Sequence, residues 1–437
     1  MKKQDIWTCA LLGLFSLAVR MLLISKGPFS AESLSLALKA EATLDTLQLQ
    51  YLFGTGYPLT MIVTAAAIFI GRFLGIDDPV LAANLMSVYA SAVSVPLFYL
   101  LVQRLYNTPT AVMSAVLLAV SPIYLGISVY AKGHALELIF AFSGLILLLK
   151  YIEGCGANAL FFSAVLFGCL GAVRVQDLVF ILPATFFVMF CYGTGTNQAR
   201  PPLRETLADA LIFGLAMAVV TIAFHLPYLL GPDRSAYLEQ FQMFRQLSFT
   251  AQHQQSLFLS FPYYRDWFLT NFTVYGLVAA GIGMVLALRA NWRTAVFCLL
   301  WFAVPFGFYL AIDTTIPRLF VILLPPVIIF AGYFFGYGYR RQGIVAPALG
   351  TVICVLLAGM MVLNIYPVLK HRSKFAMIPD YVRWVRGQVP DNARVICKDD
   401  FIFYEHYGHF ATMTRPNPSG RDDTKNFDAY RFYLEEL

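Results

Sequence analysis

The sequence has few charged residues. Asp, Glu, Lys and Arg make up 13% of its 437 residues, whereas about 25% is usual for a soluble domain. With 59% hydrophobic residues, the chain would expose large apolar patches in water, which excludes an ordinary water-soluble fold. The net charge of +6 does not indicate a nucleic-acid partner, because many Lys and Arg lie in short loops between apolar runs, where they orient membrane helices.

The cysteines form no metal-binding pattern. The seven are Cys9, Cys155, Cys169, Cys191, Cys298, Cys354 and Cys397. No CxxC pair and no Cys/His spacing typical of zinc occurs, so we interpret them as small hydrophobic residues and expect no metal or other cofactor. The sequence also lacks low-complexity segments and a clear internal repeat. Since no small-x-small cleavage site follows the first apolar run, we expect a retained helix there.

Long apolar runs are abundant. A spanning helix needs about 20 mainly apolar residues, and eleven runs approach this length, at 5–26, 80–103, 108–129, 135–152, 157–173, 177–193, 206–230, 273–290, 294–312, 317–338 and 344–367. With the N-terminus in the cytoplasm, the inside segments carry a consistent series of basic residues, as the positive-inside rule requires: Lys2, Lys3, Arg104, Lys150, Arg200, Arg204, Arg289, Arg293, Arg340 and Arg341. The sequence predicts a polytopic α-helical membrane protein with about 11 transmembrane helices, N-terminus inside and C-terminus outside.

One further apolar segment, residues 58–75, is almost long enough to cross the membrane. If it crossed, the orientation of every later helix in the membrane would reverse. The basic loops would then stay in the cytoplasm only if the N-terminal lysines were outside. We favour a helix lying in the membrane interface. Residues 30–50 support this, because their polar side chains recur at three- and four-residue steps and predict a second surface helix whose apolar side rests on the membrane.

The apolar runs divide the chain into two parts. The transmembrane domain is residues 1–369, its two large outside loops are 27–79 and 231–272, and the tail is 370–437. The tail is richer in charge and predicts a small α/β extracytoplasmic domain, with a helix at Ile378–Gly387 and a strand at Arg394–Cys397. It is too short to bury a large core alone, so we expect it to pack on the outside loops.

Ionisable residues at membrane depth are costly and are therefore candidates for function. In this topology several fall near the outer helix ends: Arg20, Glu32, Lys132, His134, Glu137, Arg174, Asp177 and Arg318. Any single Lys or Arg side chain could extend to the lipid headgroups, but positively charged residues should be scarce at the outer ends of helices. Arg20, Arg174 and Arg318 together would suit a phosphate, and Glu32 could act as a general base.

Several segments resemble a known family. They are SLAVRMLLI and FSAES, with Arg20 and Glu32; GTGYPLTMIV; AVSPIYLGISVYAKGHALELIFAF; GCLGAVRVQDLVFILPA; and IPRLFVILLPPVIIFAG, with Arg318. In order and topology they resemble the bacterial and archaeal relatives of dolichyl-phosphate-mannose-protein mannosyltransferases, in the GT-C glycosyltransferase superfamily, with an aminoarabinose-transferase-like architecture. The sequence departs from the family by keeping only the second acid of an Asp-Glu pair, at Glu32.

The resemblance implies an inverting transfer of a sugar from a polyprenyl-phosphate donor to a protein Ser or Thr, a lipid or a glycan. Arg318, supported by Arg20, Arg174 and Lys132, would bind the donor phosphate, and Glu32 would be the base. Further substrate contacts would come from His134, Glu137, Asp45, Tyr57, Tyr263 and Arg265. The metal-dependent members use an Asp-x-Asp motif in the first loop; this sequence has none, so a divalent metal is not expected.

The resemblance also implies a multi-pass protein of the plasma (inner) membrane, surrounded by lipid, with its site on the extracytoplasmic face. Three alternatives stay open. A transporter or lipid flippase would show repeat symmetry and polar residues near the midplane. An O-antigen-type polymerase or ligase would carry its large catalytic loop late in the chain, and a membrane scaffold would lack catalysis. The sequence identifies neither the sugar nor the acceptor.

Overall fold

The computed structural model is almost entirely helical. The residues it describes are 3–52, 57–192, 203–239, 242, 261–311, 317–340, 345–390, 394–396, 401–410 and 412–414. The predicted loop 231–272 and the strand residue Cys397 therefore lie partly or wholly outside the described residues.

The helices are labelled in chain order. They are α1 Lys3–Leu22, α2 Ala31–Thr46, α3 Pro58–Phe73, α4 Pro79–Leu105, α5 Thr108–Val120, α6 Pro122–Ser128, α7 His134–Ile152, α8 Ala157–Val173, α9 Val175–Phe187, α10 Leu203–Leu230, α11 Phe261–Ala290, α12 Trp292–Ala311, α13 Leu324–Tyr337, α14 Val345–Lys374, α15 Met377–Gln388 and α16 Phe401–Phe403. A 3₁₀ helix, Pro317–Leu323, precedes α13.

Many of these helices begin at residues that favour a helix N-terminus. Pro58, Pro79 and Pro122 are the first residues of α3, α4 and α6, where the missing proline N–H has no helical partner to lose. The side chains of Asp78 and Asn107 accept hydrogen bonds from the backbone N–H groups at the starts of α4 and α5. The apolar runs thus begin as helices at the positions that capping chemistry favours.

Eight of the described helices are long and apolar enough to cross a membrane, or nine if the pair α5 and α6, bent by 57°, is one span. Three shorter apolar helices, Pro58–Phe73, Ala157–Val173 and Val175–Cys191, fall below that length. A helical membrane protein is therefore confirmed, whereas the count of eleven spans and their orientation stay predictions. Helix α4 lies centrally, against α1, α3, α5 and α7.

The segment 27–79, predicted as the first outside loop, contains the two helices that the sequence predicts. Helices α2 and α3 pack together, and Arg72 of α3 forms salt bridges with Glu41 and Asp45 of α2. Leu34, on the apolar side of α2, is fully buried in a cluster with residues of α3, α4 and the tail. The protein itself thus covers part of this side, whereas Leu38 and Leu49 are only partly buried. Contact of α2 with the membrane stays a prediction.

The tail contains the predicted helix, observed as α15, Met377–Gln388, and the predicted strand, observed as β1, Arg394–Ile396. The strand β1 pairs in parallel with β2, Thr412–Thr414. Val382 of the tail is fully buried in the cluster around Leu34, so the tail packs on the first loop. The backbone of Lys26 also donates to the carbonyl of Arg372, at the end of α14, over 3.1 Å.

Candidate active site

Glu32 lies in the first turn of α2. The helix begins with a capping box, in which the side chain of Ser30 accepts from the backbone of Ser33 and the Ser33 hydroxyl accepts from the backbone of Ser30. Both partners fix the entry of the chain into the helix. The Glu32 carboxylate is therefore presented from a rigid helix start, where the helix dipole favours negative charge.

The Glu32 carboxylate accepts hydrogen bonds from two cations that are distant in sequence. Lys132 donates to one of its oxygens and Arg318 to the other. The side chain of Lys132 is 10% exposed, whereas those of Glu32 and Arg318 are 29% and 32% exposed. These three residues, the Glu32 triad, have two positive charges for one negative charge and remain open to solvent on one side.

The loop that carries Lys132 is held by polar residues of the apolar helix α4. The Ser87 hydroxyl bonds both the N–H and the carbonyl of Lys132 at 2.9 Å. Asn84 accepts from the N–H of Ala131 at 2.8 Å and donates to the carbonyl of Ser25 at 3.1 Å. Asn84 and Ser87 were not among the residues predicted from the sequence, although an amide in an apolar helix is itself a signal of a specific polar partner.

The electrostatics of the triad depend on partial burial. Burial acts to raise the pKa of Glu32, but Lys132 and Arg318 act against it, and the net pKa lies below the ordinary value for a glutamate. Burial lowers the pKa of Lys132 to about 8, although Glu32 acts to raise it. Glu32 is therefore ionised at neutral pH, and Lys132 loses its charge as the pH rises through about 8.

A second group of charges, the buried tetrad, adjoins the triad: His134, Glu137, Arg174 and Asp177. Arg174 lies 3.6 Å from a carboxylate oxygen of Glu137 and 3.2 Å from one of Asp177. The Nδ1 atom of His134 lies 3.0 Å from the Glu137 carboxylate. All four side chains are buried. Arg174 was expected to bind phosphate; instead, two carboxylates surround it, and His134 and Glu137 bond each other.

Tyr57 lies between the triad and the tetrad. It acts electrostatically with Arg174, Glu32, Glu137 and Asp177, and burial raises its pKa. Its φ of 51° is in the left-handed region, which costs a residue other than glycine of order 1–3 kcal/mol. The surrounding packing must hold Tyr57 in this position, directly before α3 and within electrostatic range of both groups.

Arg20 lies apart from the triad, contrary to the expectation that it assists Arg318. It is fully buried, and its guanidinium donates to the hydroxyls of Ser16 and Ser128 and to the carbonyl of Ala119, at 2.8–3.1 Å. It also lies over the ring of Tyr124. These bonds join α1 to the ends of α5 and α6, because a buried guanidinium takes the nearest acceptors. Arg20 thus joins these helices, one of its nitrogens, Nη2, has no hydrogen-bond partner among the described residues, and its part in phosphate binding stays a prediction.

The other residues predicted to contact the substrate lie in separate parts of the structure. Asp45 bonds Arg72 at 2.6 Å on the surface, at the other end of α2 from Glu32, and this hydrogen bond lowers its pKa although it is exposed. Arg265 is exposed and pairs with Asp266. Tyr263 lines a cavity of about 530 Å³ that Arg318 also lines. Of these three residues, the structure brings only Tyr263 near a member of the triad.

Among the described residues, no group of three or more His, Cys, Asp or Glu side chains is arranged to hold a metal ion. The expectation that the protein uses no divalent metal stays a prediction. The ionisable groups that do meet, in the triad and the tetrad, pair acids with cations. This arrangement can bind an anion and accept a proton.

No protein-family model and no curated protein matches the sequence. Solved structures do match the fold. ArnT from Cupriavidus metallidurans, bound to undecaprenyl phosphate, superposes with a TM-score of 0.65 and 13% identity, over 98% of this chain and 88% of its own. The archaeal oligosaccharyltransferase AglB from Archaeoglobus fulgidus, in complex with an inhibitory peptide and a dolichol-phosphate, superposes with a TM-score of 0.58 and 12% identity, over 89% of this chain.

A third match is the arabinofuranosyltransferase AftD from Mycobacteria, with a TM-score of 0.51 and 13% identity. The chain spans 58% of the length of AglB and 29% of that of AftD. At such identities the likeness shows the fold. The protein therefore has the GT-C fold, and the fold suggested by the sequence resemblance is confirmed. The roles of individual residues rest on the geometry of this chain.

Proposed function

We propose that the protein is a glycosyltransferase that moves a sugar from a polyprenyl phosphate to a protein, lipid or glycan acceptor. One observation carries the proposal: in a GT-C fold, Lys132 and Arg318 converge on the Glu32 carboxylate at a solvent-accessible position. Two cations and one acid are the groups that a phosphate leaving group and an acceptor hydroxyl require.

The triad has an excess of positive charge that a donor phosphate would use. When the phosphate enters, its oxygens compete with Glu32 for Arg318 and Lys132, because each of these cations donates to one oxygen of the Glu32 carboxylate. Losing its cationic partners raises the basicity of Glu32. Donor binding therefore converts Glu32 from a weak base, held in an ion pair, into one able to accept a proton.

In the proposed reaction, the acceptor oxygen forms a bond to the anomeric carbon while the bond from that carbon to the phosphate oxygen breaks. The acceptor proton passes to Glu32, and the lipid phosphate leaves with its charge increased from one to two. Attack opposite the phosphate inverts the anomeric centre. Each charge-assisted hydrogen bond to the leaving oxygens contributes about 1.5–3 kcal/mol, so two cations contribute roughly 10²- to 10⁴-fold in rate.

The reaction is tested with the purified full chain in detergent. Undecaprenyl phosphates bearing different radiolabelled sugars are incubated with membrane extract as a source of acceptor. We expect one donor to be consumed, with its label in a new product, and the Glu32→Gln variant to be inactive. Consumption of no donor, or equal consumption by the variant, would contradict the proposal.

We further propose that the site lies on the extracytoplasmic face of the plasma membrane, as the positive-inside pattern indicates. The tail packs beside the triad, so its location reports the face. Gly387 is exposed, and a Cβ there meets no atom within 4 Å, so Gly387→Cys should fold. In a variant without the native cysteines, a membrane-impermeant maleimide should label it in intact cells. Labelling only after the cells are opened would show that the tail is cytoplasmic and contradict the proposed topology.

A further inference from the structure

The helix of the tail, α15, has two apolar sides. One side carries Pro379 and Val382, which are buried, and Val382 lies in a cluster with residues of α2 and α3. The other side carries Met377, Tyr381 and Trp384, each more than half exposed. These three residues, the α15 stripe, follow one another at steps of four and three residues and therefore share one face of the helix. Because the opposite side is held in the cluster, the stripe stays turned outward.

Aromatic rings dominate the α15 stripe. The ring centroids of Tyr381 and Trp384 lie 5.9 Å apart, with 27° between the ring planes. Tyr and Trp are enriched where a membrane meets water, because each has an apolar ring and a polar group that stays hydrated. An exposed apolar stripe on an otherwise polar helix indicates an interaction surface, and this composition is typical of contact with the lipid interface.

Helix α14, which precedes α15, shows where the hydrocarbon of the membrane ends. It is long and apolar enough to cross, and Leu356 and Leu363, seven residues apart, are largely exposed on one face. Lys370, seven residues further along this face, and Lys374, four residues beyond it, are also exposed. Apolar side chains thus give way to cations over about 10 Å of helix. This change marks the passage from hydrocarbon to headgroups, where lysine side chains extend.

Helix α15 begins close to these lysines. Met377 is the third residue after Lys374, so the stripe starts at most about 11 Å further along the chain. The lysines are complementary to anionic headgroups, and each contributes about 1 kcal/mol near such a surface. Asp380 of α15 pairs with Arg383 at 3.2 Å and so does not neutralise them. The aromatic stripe therefore lies beside an excess of positive charge.

We propose that α15 lies on the leaflet from which α14 emerges. The α15 stripe is placed at the boundary between headgroups and acyl chains, and Lys370 and Lys374 bind the phosphates of anionic phospholipids. A sugar could stack on the same two rings, but the exposed Met377, the exposed Phe375 in the connection between the helices and the adjacent lysines favour lipid. The inference goes beyond the proposed function, because this contact needs no sugar donor.

The first test compares two neighbouring positions at the end of α15, both exposed. Gln388 lies four residues after Trp384 and extends the stripe, whereas Gly387 lies about 100° away around the helix. Each is replaced by Cys in a variant without the native cysteines, labelled with a fluorophore and placed in nanodiscs of phosphatidylcholine and phosphatidylglycerol. A lipid with a nitroxide near its headgroup should quench the label at Gln388→Cys roughly threefold more than that at Gly387→Cys.

The part of the rings is tested in the labelled Gln388→Cys protein. Replacing both Tyr381→Ser and Trp384→Ser should reduce the quenching to the level measured at Gly387→Cys, because the helix loses the side chains that enter the interface. Both rings are exposed, so the variant should fold, and its unfolding midpoint is measured alongside.

The part of the charges is tested by changing the lipid. Lys370→Gln together with Lys374→Gln should lower the quenching at Gln388→Cys when phosphatidylglycerol is present, and should leave it unchanged in phosphatidylcholine alone. The matched control is Arg289→Gln, since Arg289 is also an exposed cation near the end of a membrane helix, α11, but is predicted to lie on the other side of the membrane. This control should not alter the quenching in either lipid.

Two results would overturn the proposal: equal quenching at the two labelled positions, or quenching at Gln388→Cys that persists without both rings. A label at Gln388→Cys that reports water in every lipid would also overturn it and would leave the stacked rings to a soluble partner such as a glycan. Because these measurements contain no sugar donor, their failure leaves the proposed function standing, and a failure of sugar transfer leaves the lipid contact of α15 standing.

Discussion

The Glu32 triad and the buried tetrad contain the same kinds of side chain in opposite proportions. The triad has two cations for one carboxylate and is partly exposed, whereas the tetrad has one arginine for two carboxylates and is buried. Lys132 and His134, two residues apart, belong to different groups. Under the proposed function, charge excess together with access to solvent, and not the mere presence of ionisable residues, distinguishes the binding site from internal support.

The largest expected effect comes from removing the cation of the tetrad. Arg174→Met leaves Glu137 and Asp177 buried without their shared partner, and loss of one member of a buried ion pair costs about 3–5 kcal/mol. We expect a marked fall in the unfolding midpoint of the purified protein. Asp177→Asn added to Arg174→Met should recover part of the loss. If Arg174→Met alone were as stable as the wild type, the tetrad would not be the internal support that its difference from the triad indicates.

The next effect concerns the acid of the triad. Glu32→Gln keeps the shape but removes the base, so turnover should fall by roughly 10²-fold or more. Donor affinity should be equal or greater, because the carboxylate no longer competes with phosphate for Arg318 and Lys132. Asp45→Asn is the control, since Asp45 pairs with Arg72 at the other end of α2. If Asp45→Asn abolished turnover and Glu32→Gln did not, the assigned base would be wrong.

A smaller effect is expected for one cation of the triad. Arg318→Ala removes a charge-assisted contact to phosphate of about 1.5–3 kcal/mol, so kcat/KM for the donor should fall roughly 10- to 150-fold, while the protein still folds. Arg104→Ala is the matched control: the Arg104 side chain is 31% exposed and pairs with Glu153, compared with 32% exposure for Arg318. Equal kinetics of the two variants would exclude Arg318 from the donor site.

The smallest effect is a pH dependence. Because burial lowers the pKa of Lys132 to about 8, its charge is present below this pH and is lost above it. Donor affinity should therefore decrease as the pH rises through about 8. In Lys132→Arg the cation persists, so this decrease should disappear between pH 7 and 9. A decrease of equal size in the variant would assign the titration to another group.

Much of the fold could be predicted from the sequence because lipid imposes simple rules. Apolar runs of sufficient length become helices, since every backbone polar group must be paired inside the membrane. The helix and strand of the tail were predicted to within a few residues for similar local reasons. The environment of α2 was predicted less well, because its stripe of leucines shows that one side is apolar but not whether lipid, α3 or the tail covers it.

The candidate site, too, could be predicted only in part from the sequence. Arg20, Arg174 and Arg318 all stood out as costly charges near helix ends, and only the fold separates them. Arg20 meets serine hydroxyls, Arg174 meets two carboxylates, and Arg318 meets Glu32 beside a cavity. Glu32 and Arg318 are separated by 286 residues in sequence. No local pattern reports such a pairing.

Composition and periodicity determine that the protein lies in lipid, where its helices form and which charged residues need partners. These properties depend on neighbouring residues and on the free energy of transfer to lipid. Which charges neutralise one another and which remain available to a ligand depends on helix packing. Asn84 and Ser87 of α4 illustrate this, since they place Lys132 opposite Glu32 through bonds to the backbone of a loop 45 or more residues away. Long-range packing of this kind is set by three-dimensional contacts that sequence spacing does not encode.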